Sequence, residues 1–428
     1  MKTAAVILFV ITYVLLLTFS KIRAYIALAS AALFVILGII SPNEIIGVVD
    51  WNVILMIAGT MGVVGFFIES KMPSLLADHI IRLVPDVRWA IVSLALFAGI
   101  ISAFVDNVAT VLMVAPVAVN IAKKLKMSPV LSVICIAISS NLQGAATLVG
   151  DTTSILLGGH AGLSFIDFFF LNGKPGIFWA VEAGALASAV VLLVLFRNEK
   201  QPVASYEITK VEDYFPTVLL VGIIVLLIVN SFVPAEYKPA AIRDMMNGLI
   251  CMSLFLIGLV RKLIKTRDIK TFTDSLKSID YETILLLAGL FVVIGGITKV
   301  GLVQDISRLF VKASNDNVFL IYSLIVWASV LFSAFIDNIP YVATMLPVAG
   351  EISRLMGITP NLLYFGLLIG ATLGGNITPI GASANITGLG ILRKEGYEVS
   401  TGTFMKVSVP FTLSAVITGY LLIWIIWS

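Results

Sequence analysis

Asp106 and Asp337 are the residues of this chain whose type and spacing most clearly suggest chemistry. They lie 231 residues apart in nearly the same phrase, SAFVDNV over residues 102–108 and SAFIDNI over residues 333–339. A carboxylate near the middle of a bilayer is costly, so such a residue usually binds an ion or carries a proton. Asn107 and Asn338 follow the aspartates and can cap the helix that begins there. The repeated phrase predicts a cation or proton site, and helix capping alone is the alternative.

Two further segments are interrupted by Gly, Thr and Pro at the same spacing. They read GAATLVG over residues 144–150 and GNITPIG over residues 375–381. Where such a helix unwinds, its freed carbonyls can coordinate Na⁺ and its N–H groups can hold an anion. Thr147 and Thr378 add hydroxyls at matching positions. A kink that only relieves packing is the alternative.

The two copies differ beside these breaks. Asp151 follows Gly150, whereas alanine follows Gly381, and the second copy has Asn376 and Asn385 where the first has alanine and serine. We therefore expect Asp151 to titrate or to bind a cation during transport. The predicted substrate- and ion-binding residues are Asp106, Asn107, Thr147, Gly150, Asp151, Asp337, Asn338, Asn376, Thr378, Gly381 and Asn385, with Na⁺ placed at Asp106, Asn107, Gly150, Asp337, Asn338 and Gly381.

The composition requires a lipid environment. The chain of 428 residues is 59% hydrophobic and 12% charged, with a mean hydropathy of +1.06. This predicts an all-α polytopic protein of the cell membrane. Cys135 and Cys251 lie in apolar spans without a metal-binding or disulfide spacing.

Nothing in the sequence is typical of an enzyme site, an ATP-binding loop or nucleic-acid binding. The sequence predicts no cofactor beyond Na⁺ or H⁺ as a coupling ion. An ion gradient is the expected driving force, with a separate ATPase partner as the other option.

The apolar pattern predicts three kinds of membrane segment. Residues 89–122 and 317–355 carry the Asp-Asn phrases, and each half is about 15 residues, short for a crossing of roughly 20. We interpret them as re-entrant helical hairpins, and residues 129–160 and 361–391 as broken helices. The ordinary crossings are predicted at 4–20, 24–40, 51–69, 177–196, 215–233, 245–260, 281–298 and 407–427.

The basic residues support this layout. With the N-terminus outside, ten crossings and two hairpins place 20 of the 28 Lys and Arg residues in the cytoplasm. Lys21 and Arg23 fall in the first cytoplasmic loop, and no Lys or Arg is expected at mid-depth.

An internal repeat follows from the same alignment. Eleven of 28 positions are identical between residues 102–129 and 333–360. Five crossings separate equivalent points, so the halves should have inverted topology. Residues 1–200 form the first repeat, 201–214 a cytoplasmic linker and 215–428 the second repeat, each repeat with five crossings, one of them broken, and one hairpin.

These phrases resemble those of the ArsB/NhaD permeases, within the ion transporter superfamily that also holds citrate and divalent-anion:sodium symporters. The resemblance covers nearly the whole chain. It implies a scaffold and a moving transport domain, an elevator-like mechanism and a homodimer. In the symporters a Ser-Asn-Thr phrase occupies the hairpin tips, and only its Asn is matched here, which favours the arsenite and Na⁺/H⁺ branch. The first break departs from the family's Gly-Asp-Pro-Pro-Asn, because Thr152-Thr153-Ser154 follow Asp151.

The first functional hypothesis is a secondary carrier that moves a small inorganic or organic anion or oxyacid together with H⁺ or Na⁺. A Na⁺/H⁺ antiporter is the alternative, because the same carboxylates can alternate between proton and sodium. Arsenite or antimonite efflux is a special case, although two cysteines cannot form a three-thiolate arsenic site within one chain.

Overall fold

Helices account for almost all regular structure in the computed structural model, which describes residues 1–124, 127–202, 208–268 and 270–428. Part of the predicted linker, residues 203–207, lies outside that range. The helices are α1 (Lys2–Thr18), α2 (Arg23–Ile36), α3 (Ile45–Val48), α4 (Trp51–Glu69), α5 (Met72–Leu83), α6 (Val87–Ser102), α7 (Asn107–Lys124), α8 (Val130–Gly144), α9 (Thr152–Ala161), α10 (Ile177–Leu195), α11 (Phe215–Phe232), α12 (Met246–Thr266), α13 (Lys270–Leu276), α14 (Tyr281–Lys299), α15 (Leu302–Ser314), α16 (Val318–Ser333), α17 (Asn338–Met356), α18 (Pro360–Leu368), α19 (Ser383–Lys394) and α20 (Thr401–Trp427).

Within the described residues, six helices are long and apolar enough to cross a membrane, or up to seven if α15 and α16 form one bent span. The six are α4, α10, α11, α14, α20 and α12 with its preceding turn, and all were predicted as ordinary crossings. The first two predicted crossings are shorter, because α1 has 17 residues and α2 has 14. The remaining apolar helices are the halves of the predicted hairpins and broken helices.

The Asp-Asn phrases form the turns of two helix pairs. Helix α6 ends at Ser102 and α7 begins at Asn107, while α16 ends at Ser333 and α17 begins at Asn338. Both the ends and the starts are therefore offset by 231 residues. We refer to residues 103–106 as the first tip and to residues 334–337 as the second tip.

The two breaks also occur where the glycine-rich phrases predict them. Helices α8 and α9 are separated by residues 145–151. In the second copy, α18 continues into a π-helical segment, Ile369–Leu373, before the chain unwinds ahead of α19. A π-helical turn widens the hydrogen-bond ladder and often accompanies functional sites.

The two halves of the chain interlock through matching helix pairs, since α12 packs against α4 and α2 packs against α14. Each contact depends on a glycine. A Cβ on Gly59 would lie 2.4 Å from the carbonyl carbon of Cys251, and one on Gly289 would lie 2.6 Å from that of Ala27. Backbones can approach this closely only where no side chain intervenes. The inverted relation of the repeats remains a prediction.

Two features were not predicted. Helices α5 and α15 follow α4 and α14 and connect them to the hairpins. A small antiparallel β-hairpin pairs β1 (Phe170–Leu171) with β2 (Lys174–Pro175). Its turn residues Asn172 and Gly173 have φ of 52° and 76°, the left-handed values that a tight two-residue turn requires.

Candidate functional site

The aspartates at both tips cap the helices that follow them. Asp106 Oδ1 accepts hydrogen bonds from the backbone N–H groups of Val108 (3.0 Å) and Ala109 (3.1 Å). Asp337 Oδ1 accepts one from the N–H of Ile339 at 3.0 Å. The free N–H groups at the starts of α7 and α17 are thus partly occupied by carboxylates of the chain itself.

Asp337 differs from Asp106 because it has a cationic partner. The guanidinium of Arg23, at the start of α2, donates from Nη1 to Asp337 Oδ2, and the hydroxyl of Ser383 lies 3.5 Å from the same oxygen. Both ion-pair side chains are mostly buried, with exposures of 19% and 18%. No Lys or Arg was expected at mid-depth, and the contact of Arg23 with the second tip was not predicted. A four-residue loop places Arg23 where its long side chain reaches inward.

Asp151 lies between the two tips. Asn107 Nδ2 donates to Asp151 Oδ1 and Asn338 Nδ2 donates to Oδ2, each at 3.4 Å. Thr153 Oγ1 donates to Oδ2 at 2.6 Å, and the carboxylate is only 4% exposed. The asparagines that were interpreted as helix caps thus point their amides at one carboxylate, which joins both hairpins to the first break.

A buried amide network connects the two broken helices. Asn141 Nδ2 donates to Asn376 Oδ1 (3.1 Å) and to the carbonyl of Thr372 (2.7 Å), while Asn376 Nδ2 donates to the carbonyl of Ile138 (2.8 Å). Thr372 Oγ1 lies 2.9 Å from Thr153 Oγ1. Asn141, Thr153 and Thr372 were not predicted. Asn141 and Thr372 are separated by the repeat offset of 231, a signal that would have identified both.

Thr147 and Thr378 make the same contact in each half. Thr147 Oγ1 donates to the carbonyl of Ala103, and Thr378 Oγ1 donates to the carbonyl of Ala334. Both threonines are buried. Each hydroxyl therefore holds a tip against its break instead of facing open space.

Gly150 and Gly381 allow the tips and breaks to approach. A Cβ on Gly150 would lie 2.8 Å from the carbonyl oxygen of Ala103 in the first tip, and one on Gly381 would lie 2.8 Å from that of Ala334 in the second tip. Asn385 Nδ2 donates to the Gly375 carbonyl at 3.2 Å, and its Oδ1 has no partner within the described residues.

A cavity of about 280 Å³ reaches the center of this arrangement. Four predicted residues line it, Asp106, Asn107, Asp151 and Asn338, together with Ser383. Helices α4 and α14 form the opposite wall. No ion pair to Asp106 or Asp151 occurs in the part of the chain that the structure describes. Asp337 lies beside the cavity. The other six predicted residues lie behind its lining: Thr147, Gly150, Asn376, Thr378, Gly381 and Asn385.

A second and larger cavity of about 1050 Å³ is lined by none of the predicted site residues. Its wall includes Asp50, Lys238, Arg243 and Lys299. Its wall carries charged groups of both signs and none of the repeated tip and break residues, which distinguishes it from the cavity between the tips.

Comparisons with known proteins support a transporter. The family model described as CitMHS, citrate transporter, matches residues 13–370. An uncharacterized transporter of Mycobacterium tuberculosis is 31% identical over 441 residues, covering 99% of this chain and 98% of the relative. The mouse P protein is 28% identical over 478 residues, and the match covers 92% of this chain but 56% of the P protein.

Two solved structures share the fold. The Alcanivorax borkumensis YdaH transporter has a TM-score of 0.62 at 14% identity, covering 89% of this chain and 87% of its own. MtrF of Neisseria gonorrhoeae, described as illuminating a class of antimetabolite efflux pumps, has a TM-score of 0.55 at 19% identity, covering 89% and 82%. The prediction of a helical polytopic membrane transporter is confirmed, with the short β-hairpin as the exception. The wider superfamily resemblance is supported, whereas the ArsB/NhaD branch is not confirmed.

Proposed function

The chain belongs to the CitMHS citrate-transporter family, and we propose that it is a secondary carrier moving a small carboxylate anion together with Na⁺ or H⁺. One observation carries the proposal. Asp151, from a broken helix, is held by an asparagine from each hairpin tip beside a cavity of about 280 Å³. Broken helices facing hairpins across a buried carboxylate are suited to alternating access.

Coupling to a cation follows from the charges around the cavity. Asp106, Asp151 and Asp280 line it, and the amine of the one lining lysine, Lys277, is 2.7 Å from Asp274. Two like unit charges 5 Å apart repel by roughly 3 kcal/mol at an effective dielectric constant of about 20. A multivalent anion entering alone would meet that repulsion more than once. Binding of Na⁺ or H⁺ lowers this repulsion, so the anion and the cation bind cooperatively.

The first tip is the better cation site. Asp106 and Asp151 line the cavity without an ion-pair partner among the described residues, and Asn107 lines it beside them. At the second tip, Arg23 already neutralises Asp337. We therefore propose that the coupling ion binds at the first tip, and that the Na⁺ site predicted at Asp337, Asn338 and Gly381 is occupied by the Arg23 guanidinium instead.

The anion is placed next to the cation, toward the second break. Helix α19 begins at Ser383 without a side-chain cap, because Ala382 precedes it. Ser383 and Asn338 both line the cavity. Uncapped N–H groups, a hydroxyl and an amide are the donors that a carboxylate needs.

The direction that the cavity faces depends on the predicted orientation. Lys277 and Ser278 line it and belong to the segment between the predicted crossings 245–260 and 281–298, which the predicted topology places in the cytoplasm. With the N-terminus outside, the cavity opens to the cytoplasm. Elevator-like movement within a homodimer of the cell membrane remains part of this proposal.

Uptake by proteoliposomes tests the proposal. We expect wild-type protein to accumulate radiolabelled citrate when a Na⁺ or proton gradient is imposed. Asp151→Asn should lower the rate at least about tenfold and flatten its cation dependence, because one amide N–H would then face an asparagine amide N–H. Asp305→Asn, an exposed carboxylate on α15 paired with Lys2, is the matched control. Citrate uptake without any cation dependence would contradict the coupling mechanism.

A Na⁺/H⁺ antiporter is the second candidate. It is favoured by the same unpaired carboxylates, Asp106 and Asp151, which could exchange a proton for Na⁺. Vesicles containing a pH-sensitive dye and no carboxylate other than the protein's own distinguish the two. Proton movement driven by Na⁺ alone, without stabilisation or uptake of any anion, would favour antiport.

A further inference from the structure

Arg23 has a guanidinium that is only partly used by its contact with Asp337. It lies at the start of α2, yet its guanidinium reaches the second tip, and Asp337 takes one of its five N–H groups. The other four make no hydrogen bond within the described residues. A guanidinium with unused N–H donors can bind a further carboxylate.

The oxygen that Arg23 binds lies at the margin of the cavity. The Ser383 hydroxyl lies 3.5 Å from Asp337 Oδ2, and Ser383 and Asn338 line the cavity itself. A carboxylate bound at Ser383 and the start of α19 would therefore come close to the guanidinium. Asp337 has a second function as the cap of α17 through its other oxygen, so it can keep that contact when Arg23 moves.

We propose that Arg23 binds the substrate carboxylate, and that Asp337 is an internal stand-in that holds the guanidinium while the carrier is empty. The substrate displaces the Asp337 carboxylate from Arg23 when it enters. This inference rests on the proposed function, because it assigns the anion of that same site. It also explains why only one of the two equivalent aspartates is paired. Asp106 binds the cation, whereas Asp337 competes with the anion for Arg23.

Competition gives the two partners opposite effects on affinity. When Asp337 holds Arg23, only a fraction of the carriers offers a free guanidinium, and the apparent dissociation constant rises by the inverse of that fraction. Removing the Asp337 charge frees Arg23 and should tighten binding. Removing the Arg23 charge deletes the anion's partner and should weaken it. A pair that only stabilised the fold would weaken binding in both cases.

The experiment measures KM and kcat for citrate uptake by proteoliposomes at saturating Na⁺ and a fixed pH. Arg23→Gln should raise KM by about ten- to one-hundredfold, the loss of one charge-assisted hydrogen bond. Asp337→Asn should lower KM by about three- to tenfold. The asparagine oxygen still accepts the N–H of Ile339, so this variant keeps the cap. Arg23→Lys keeps the charge without the planar fork and should fall between wild type and Arg23→Gln.

The matched control is Lys2→Gln, which breaks the exposed ion pair with Asp305, lines neither cavity and should leave KM unchanged. If Arg23→Gln is not recovered as monodisperse protein, Asp337→Asn and Arg23→Lys decide the question, since their shifts must still have opposite signs. A higher KM in Asp337→Asn, or an unchanged KM in Arg23→Gln, overturns the inference while citrate uptake by wild type upholds the proposed function. Absence of uptake or binding of citrate, succinate and phosphate by wild type overturns both.

Discussion

Gly150→Ala is the substitution that most directly tests how the first tip is assembled. A Cβ at this position would lie 2.6 Å from the carbonyl oxygen of Gly144 and 2.8 Å from those of Ser102 and Ala103. All three atoms belong to the backbone, so no rotamer change can relieve the contact. One of them belongs to the first tip, one to the end of α6 and one to the end of α8. The methyl group would therefore push the hairpin and the broken helix apart.

The size of the effect follows from these distances. Ordinary contacts to a Cβ begin near 3.4 Å, so the backbone would have to move by several tenths of an ångström at three places. Overpacking of this kind costs about 1–3 kcal/mol in the free energy of unfolding. The Thr147 hydroxyl, which donates to the Ala103 carbonyl, would be displaced as well. We expect a lower melting temperature. We also expect a lower transport rate in the protein that remains folded.

The assay is thermal melting of detergent-purified protein. The fraction that stays monodisperse is measured after heating to each temperature. Gly390→Ala is the control, because nothing lies within 4 Å of a Cβ there and alanine favours the helix by up to about 1 kcal/mol. Gly381→Ala should behave like Gly150→Ala, since its Cβ would lie 2.5 to 2.8 Å from three equivalent carbonyl oxygens. Melting of Gly150→Ala at or above the temperature of Gly390→Ala would refute the reasoning.

Two further predictions concern stability. Asn376→Ala removes the donor to the Ile138 carbonyl and the acceptor of Asn141. Each buried partner left unsatisfied should lower the free energy of unfolding by about 1–3 kcal/mol. Denaturant unfolding measures this loss, and an unchanged midpoint would contradict the network. Outside the membrane, hydrogen bonding from Arg261 lowers the pKa of Asp213 from 3.8 to about 2; its contribution is therefore present above pH 3.8 and lost as the pH falls toward 2, so Asp213→Asn should lower the melting temperature at pH 7 and have little effect near pH 2.

Local patterns in the sequence predicted the parts of the fold that local chemistry determines. The tips occur at Asp106 and Asp337 because an N-cap residue follows an apolar stretch too short to cross the bilayer. The breaks occur at the Gly-rich phrases because glycine and proline weaken a helix. Helix α15 also has an amphipathic pattern, with Val303, Ile306 and Phe310 on one face. It was not predicted because it lacks the long apolar run of a membrane crossing.

The contacts within the site depend on tertiary packing and could not be derived in this way. Arg23 and Asp337 are 314 positions apart, and only the packing of α1 and α2 beside the second hairpin brings them together. The asparagines have two chemically reasonable uses, as helix caps or as donors to a neighbour. Sequence favours the cap because the helix start is visible in it, whereas the position of Asp151 between the tips is not.

Residues related by the repeat offset make the same backbone contacts in both halves but carry different charges. The bonds of Thr147 and Thr378 to the tip carbonyls are the same in both halves, as are the close approaches at Gly150 and Gly381. Such shared contacts hold the backbone and cannot distinguish the two sides. The charges are not shared, since only the first break carries Asp151 and only the second tip pairs with Arg23. A nearly symmetrical backbone therefore presents carboxylates without a cation on one side and a guanidinium on the other. A carrier that binds a cation and an anion side by side requires this difference in charge.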